Sequence, residues 1–138
     1  MTEVDREPRG PGNFDTTDAM VTADGFVDEM LLRIDDIFGG GDEADPDQRG
    51  ESELMPTIAL FIATLTEAQD CPVEPPIVRE WRDRYITRFR ARGRLLFADP
   101  IAFDRRLRVI LETFGRLEEL SCRFHPDPAL AAPPESSN

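Results

Sequence analysis

Three consecutive glycines, Gly39 to Gly41, end a segment in which apolar side chains recur at every third or fourth residue. This spacing places the apolar side chains on one stripe of an α-helix, and glycines after the last apolar residue are typical of a helix end. The pattern predicts a first helix from about Asp18 to Phe38. Its stripe consists of Ala19, Ala23, Phe26, Met30, Ile34 and Phe38.

Three further helical segments follow, separated by proline-containing or glycine-containing breaks. The second predicted helix runs from about Ser52 to Asp70, although the apolar "TIALFIATL" inside it also fits a β-strand. The third runs from about Pro76 to Arg92, and the fourth from Asp99 to about Cys122. An aspartate followed by proline, as at the start of the fourth, is typical of a helix N-terminus. We therefore expect an all-α protein, a compact bundle or array of about four helices.

The two ends of the chain differ from this helical middle. Residues 1–13 and 125–138 are rich in proline, glycine or serine and have no apolar period, so we expect disordered tails on either side of a single helical domain at 14–124. The charged start predicts no secretion signal, and no apolar run approaches the roughly 20 residues of a membrane helix. We expect a cytoplasmic protein whose cysteines, Cys71 and Cys122, are reduced.

Charge is unevenly distributed along the chain. The net charge is -12, and all 16 basic residues are arginine. Residues 1–75 contain 19 Asp and Glu against 4 Arg, whereas residues 76–138 contain 9 against 12. Phosphate backbones require a positive field, so this balance argues against nucleic-acid binding and favours a basic protein partner. The predicted partner-binding acidic surface comprises Asp24, Asp28, Asp35, Asp36, Asp42, Glu43, Asp45 and Asp47.

Seven arginines lie between Arg79 and Arg94, on and just after the third predicted helix. One interpretation is an anion-binding site, because arginine fits phosphate and carboxylate groups. The alternative is that these arginines pair internally with the acidic first half of the chain, which we favour. The candidate anion-binding residues are Arg84, Arg88, Arg92 and Tyr85.

Motifs for catalysis and metal binding are incomplete. A calcium-loop alignment of Asp45, Asp47 and Gly50 fails, because Arg49 and Pro56 stand where ligands are required. Cys122 and His125 alone cannot form a structural zinc site. Neither a G-x-S-x-G motif nor a phosphate-binding loop occurs. We therefore predict no catalytic residues, no metal site and no cofactor.

Three stretches of the sequence carry a family resemblance. They are "GNFDTTDA" from Gly12, "PPIVREWRDRYITRF" from Pro75 and "FDRRLRVILETFGRLEEL" from Phe103. Together they are similar to the domain of unknown function 4259 family of small bacterial helical proteins. Thr16, Thr17 and Val21 depart from its pattern, since the family often has Asn or Asp at these places. The matching positions in the last two stretches are Pro76, Val78, Trp81, Tyr85, Arg105, Arg106, Val109, Ile110, Thr113, Phe114 and Leu117.

The resemblance implies a helical fold and carries no established activity. Small acidic bacterial proteins of this type are often suspected of neutralising toxins. Together with the charge layout, this favours a non-enzymatic binding module, such as an immunity or inhibitor protein that masks a basic surface. The alternatives are a self-associating structural protein, in which the acidic and arginine-rich halves of two copies meet, and a small anion-ligand binder that uses the third helix.

Overall fold

Four α-helices make up most of the computed structural model, which describes residues 17–126 and the side chains from residue 22 onward. No strand forms in this range, so the predicted all-α fold is confirmed. The predicted tail at 1–13 lies outside the described residues, as does the tail at 125–138 apart from His125 and Pro126. The helices are α1 (Thr17–Gly39), α2 (Met55–Ala68), α3 (Pro75–Arg92) and α4 (Pro100–Phe124).

The helix ends agree with the breaks in the sequence, with one exception. Asp99 caps α4, because its carboxylate accepts a hydrogen bond from the Ala102 backbone N–H at 3.0 Å. The strand alternative for "TIALFIATL" is wrong, since this stretch lies within α2. The exception is the start of α2, which we predicted near Ser52. Ser52 instead belongs to the preceding segment, and the α-helix begins at Met55.

The segment between α1 and α2, residues 40–54, is helical in a different way. We name it the acidic connector. It forms a 3-10 turn at Gly41–Ala44 and then a π-helix at Pro46–Leu54, whereas the sequence predicted a break between helices ending at Phe38 and beginning near Ser52. Gln48 departs from helical geometry at φ -100 and ψ -106, so the π-helix contains a kink. Gly41 has a φ of 66, which a glycine adopts at little cost.

The core lies where the two helix pairs meet. Helix α1 packs on α2, α3 packs on α4, and α2 also contacts α4. Aromatic residues of α3 stack with those of the neighbouring helices: Trp81 with Phe38, and Phe89 with Phe103. The largest fully buried side chains are Tyr85, Phe61, Phe89, Phe114, Ile34, Ile37, Leu54, Ile58, Leu65, Ile110, Leu117 and Val78.

The link between α2 and α3 is tied to the C-terminal end of α4. The Val73 carbonyl accepts hydrogen bonds from the Ser121 hydroxyl at 2.5 Å and from the Cys71 thiol at 3.5 Å. His125, just after α4, donates from Nε2 to the Cys71 carbonyl. Both cysteines are unpaired, with Cys71 buried and Cys122 exposed. Burial raises the pKa of the Cys71 thiol.

Membrane-spanning segments were also predicted to be absent. Within residues 17–126, every helix is too short or too polar to cross a lipid bilayer.

Candidate functional site

The acidic connector docks on α3 through a glycine. Gly50 is buried so closely that a Cβ atom there would lie 2.6 Å from the Ala44 carbonyl oxygen and 2.7 Å from Cε1 of Tyr85. The Asp45 carbonyl accepts backbone hydrogen bonds from Gln48 and Gly50, both at 2.9 Å. These contacts hold the connector against α3 and aim its carboxylates at the arginines of that helix.

Two arginines on the exposed edge of α3 pair with the connector. Arg88 lies 2.7 Å from the buried carboxylate of Asp45. Arg92 forms a two-point pair with Asp47, at 2.9 Å from Nε and 2.8 Å from Nη2. Hydrogen bonding by Arg92 lowers the pKa of Asp47. The favoured interpretation, internal pairing between the arginine-rich helix and the acidic half, is confirmed for these two arginines.

A third connector carboxylate, Glu51, joins α3 to α4. The Tyr85 hydroxyl donates to one oxygen of Glu51 at 2.5 Å, and Nε of Arg106 donates to the other at 2.5 Å. Tyr85 is fully buried. Burial, reinforced by the Glu51 carboxylate, raises the pKa of Tyr85 far above its ordinary value. The phenol therefore stays protonated and acts as a hydrogen-bond donor.

The last candidate anion-binding residue, Arg84, is also engaged within the protein. Its guanidinium donates to the Phe38 carbonyl at 2.9 Å and lies 5.0 Å from the centre of the Phe38 ring. The structure thus brings Arg84, Tyr85, Arg88 and Arg92 together along α3, each with an internal partner. An anion bound here would have to displace Asp45, Asp47 or Glu51, and breaking these ion pairs costs free energy. The anion-binding alternative stays a prediction.

The eight acidic residues predicted to bind a partner fall into four groups. Asp45 and Asp47 are held by α3, as described above. Asp36 and Glu43 share Arg49, at 3.3 and 2.7 Å, and Arg49 also contacts Glu53 at 2.8 Å. Asp42 is nearly fully exposed, 3.7 Å from Arg88. Asp24, Asp28 and Asp35, all on α1, have no hydrogen bond or ion pair to any other described residue.

The outward side of α1 combines several carboxylates with an exposed apolar side chain. Leu32 is 69% exposed. Residues three and four positions away on a helix are its surface neighbours. For Leu32 all four of these neighbours are acidic. We name the five residues together the acidic face: Asp28, Glu29, Leu32, Asp35 and Asp36.

A groove between α1 and α2 continues the exposed apolar surface next to the acidic face. It encloses about 360 Å³ and is lined by Phe26, Met30 and Leu32 of α1 and by Leu60 of α2, together with Glu29, Arg33 and Thr57. Phe26 and Leu60 are both more than half exposed. The α1 side of the molecule therefore has an apolar centre with charged groups around it.

Sequence reasoning had not assigned Glu29 and Leu32 to the candidate surface. Leu32 is an apolar residue outside the stripe of α1, and its four acidic neighbours can be read from helical spacing alone. Charge counts alone do not identify Leu32, because its side chain is uncharged.

Among the residues that the structure describes, no three His, Cys, Asp or Glu side chains are placed to hold a metal ion. No protein-family model matches the chain, and neither a curated protein nor a solved structure matches it. The resemblance to the domain of unknown function 4259 family therefore stays a prediction.

Proposed function

We propose that this protein is a non-enzymatic binding module that docks a basic protein surface onto the acidic face of α1. The observation that carries the proposal is the exposed Leu32 within four carboxylates. An apolar centre inside a charged rim is the usual anatomy of a protein–protein interface. The rim is acidic, so the complementary partner surface is basic with an apolar centre.

The charge balance within the fold supports this choice of surface. Asp45, Asp47 and Glu51 are compensated by Arg88, Arg92 and Arg106, so the acidic connector contributes less free charge than its sequence suggests. On α1, by contrast, Arg33 is the single basic residue in the helix. Of its four carboxylates, that of Asp36 is paired with Arg49, whereas those of Asp28, Glu29 and Asp35 have no ion pair with a described residue. The acidic face therefore keeps three uncompensated negative charges, which speed the encounter with a basic partner and make it sensitive to salt.

The proposed docking surface leaves out some of the acidic residues predicted from sequence and adds two residues of α1. Asp45 and Asp47 act as structural residues, and Glu29 and Leu32 join the docking surface. Asp24, Asp42 and Glu43 lie outside the acidic face and supply negative charge to the long-range field. A cytoplasmic immunity or inhibitor protein that masks a basic toxin is one form of this function, and membership of the domain of unknown function 4259 family is a part of the same proposal.

Capture from a lysate of the source cell tests the proposal, with wild type and two variants immobilised in parallel. The face variant is D28N/E29Q/L32S/D35N. The control variant is D104N/L111S/E112Q/E119Q on α4, which removes the same number of charges and one exposed leucine. Wild type and control are expected to retain one basic protein that the face variant loses, because only the face variant changes the docking surface.

A purified partner then gives the affinity. We expect the face variant to bind about 30-fold more weakly than the control variant, as for loss of a central contact with its rim. Raising NaCl from about 0.05 to 0.2 M should weaken wild-type binding about tenfold. Equal capture by all three proteins, or an affinity indifferent to salt, would contradict the proposal.

A further inference from the structure

A second exposed apolar surface lies around the turn from α3 to α4. Leu95, Leu96 and Ile101 are exposed there within seven residues, and Ile101 is 61% exposed in the first turn of α4. Arg105 and Arg108 follow Ile101 by four and seven positions, so all three share one face of α4. We name this surface the basic corner: Arg94, Leu95, Leu96, Ile101, Arg105 and Arg108.

The three arginines of the basic corner make no ion pair with the acidic connector. Arg105 and Arg108 have no ion pair or hydrogen bond to another described residue. Arg94 lies 4.6 Å from the centre of the Phe103 ring and meets no described carboxylate. Two acids are nearby, Asp99 and Asp104, and Asp99 is occupied as the cap of α4. Asp104 also lies beside Ile101 on this face, so three arginines and one free carboxylate surround the exposed apolar side chains, and the corner has a net positive charge.

The two surfaces are opposite in charge, and each has exposed apolar side chains. The acidic face has an exposed leucine within carboxylates, and the basic corner has exposed leucines and an isoleucine beside free arginines. We propose that the basic corner of one copy docks on the acidic face of a second copy. This rests on the proposed function, because it takes the acidic face as the docking surface, and it names a second copy of the chain as an occupant.

The geometry of such a contact has a definite consequence. The two surfaces are different, so each copy keeps a free face and a free corner after docking, and association continues into chains or a closed ring. The net charge of -12 on every copy opposes association at low salt. At about 0.15 M salt the Debye length is near 8 Å, which screens this overall repulsion while leaving the attraction between groups in contact.

Complementation between two variants tests the proposal on purified full-length protein. The face variant here is L32S/D35N and the corner variant is I101S/R105Q, all at exposed positions. Far-ultraviolet circular dichroism and thermal melts must first show that both variants fold. Sedimentation equilibrium at 0.15 M NaCl should show a wild-type mass that rises above 15.6 kDa with concentration. Each variant alone should stay at the monomer mass.

The mixture decides the result. The face variant keeps an intact corner and the corner variant keeps an intact face, so together they should form a one-to-one complex of twice the monomer mass. Wild type that stays monomeric up to about 1 mM, a concentration covering weak complexes, would overturn the proposal. The proposal would also be overturned if wild type self-associates but the mixture of the two variants stays at the monomer mass. That result indicates an interface between two copies of the same surface. Neither failure bears on capture of a different basic protein, which tests the proposed function separately.

Discussion

Replacing Gly50 by alanine should destabilise the protein by about 3 kcal/mol, because the added methyl group has no space. It would meet the carbonyl oxygens of Ala44 and Asp45 at 2.6 and 2.8 Å and the Tyr85 ring at 2.7 Å. Two of these contacts are with backbone, which cannot move aside as a flexible side chain can. Thermal unfolding should show a melting temperature lower by about 10 °C.

Gly115 provides the matched control for this substitution. It lies within α4, and a Cβ atom there would meet nothing within 4 Å. Gly115→Ala should therefore stabilise the protein by about 0.5–1 kcal/mol, the ordinary gain of alanine over glycine in a helix. If Gly50→Ala left the free energy of unfolding unchanged, or raised it as Gly115→Ala should, the close packing of the connector on α3 would be wrong.

Loss of the Glu51 carboxylate should have a similarly large effect. Glu51→Ala removes the partners of the Tyr85 hydroxyl and of Arg106 at once. A buried hydroxyl without a partner and a partly buried cation without its carboxylate together should cost about 3 kcal/mol in urea unfolding. Tyr85→Phe removes one hydrogen bond while Glu51 keeps Arg106, so it should cost only about 1 kcal/mol.

The control for Glu51 lies two residues further along the connector. Glu53 pairs with Arg49 near the surface, at 2.8 Å, and its side chain is 40% exposed. Surface ion pairs contribute little to stability, so Glu53→Ala should change the unfolding free energy far less than Glu51→Ala. Equal effects of the two substitutions would show that the Glu51 network does not support the fold.

The helices could be predicted from sequence because their signals are local. Apolar spacing placed α1 and α3 within one residue at each end, and Asp99 with Pro100 marked the start of α4. The π-helix of the connector could not be predicted in this way. Proline, glycine and aspartate favour turns, and the segment is helical because it is held by Tyr85 and Arg88, which are distant in the sequence.

The candidate site was predictable in part for a similar reason. Charge counts selected the acidic half of the chain, which includes Asp28, Asp35 and Asp36. They could not show which carboxylates are neutralised, because the pairs of Arg88 with Asp45 and of Arg92 with Asp47 join residues more than 40 positions apart. Only the folded chain shows which acids are paired with arginines and which are free. This distinction places the candidate docking surface on α1 and not on the connector.

Site-specific photo-crosslinking in the source cell tests the central claim most directly. A photoreactive phenylalanine analogue would replace Leu32 in one protein and Leu111, an exposed leucine of α4, in another. The account predicts that position 32 forms an adduct with a basic protein or with a second copy of the chain, and that position 111 does not. The absence of any adduct at position 32, or the same adducts at both positions, would contradict a docking surface on α1.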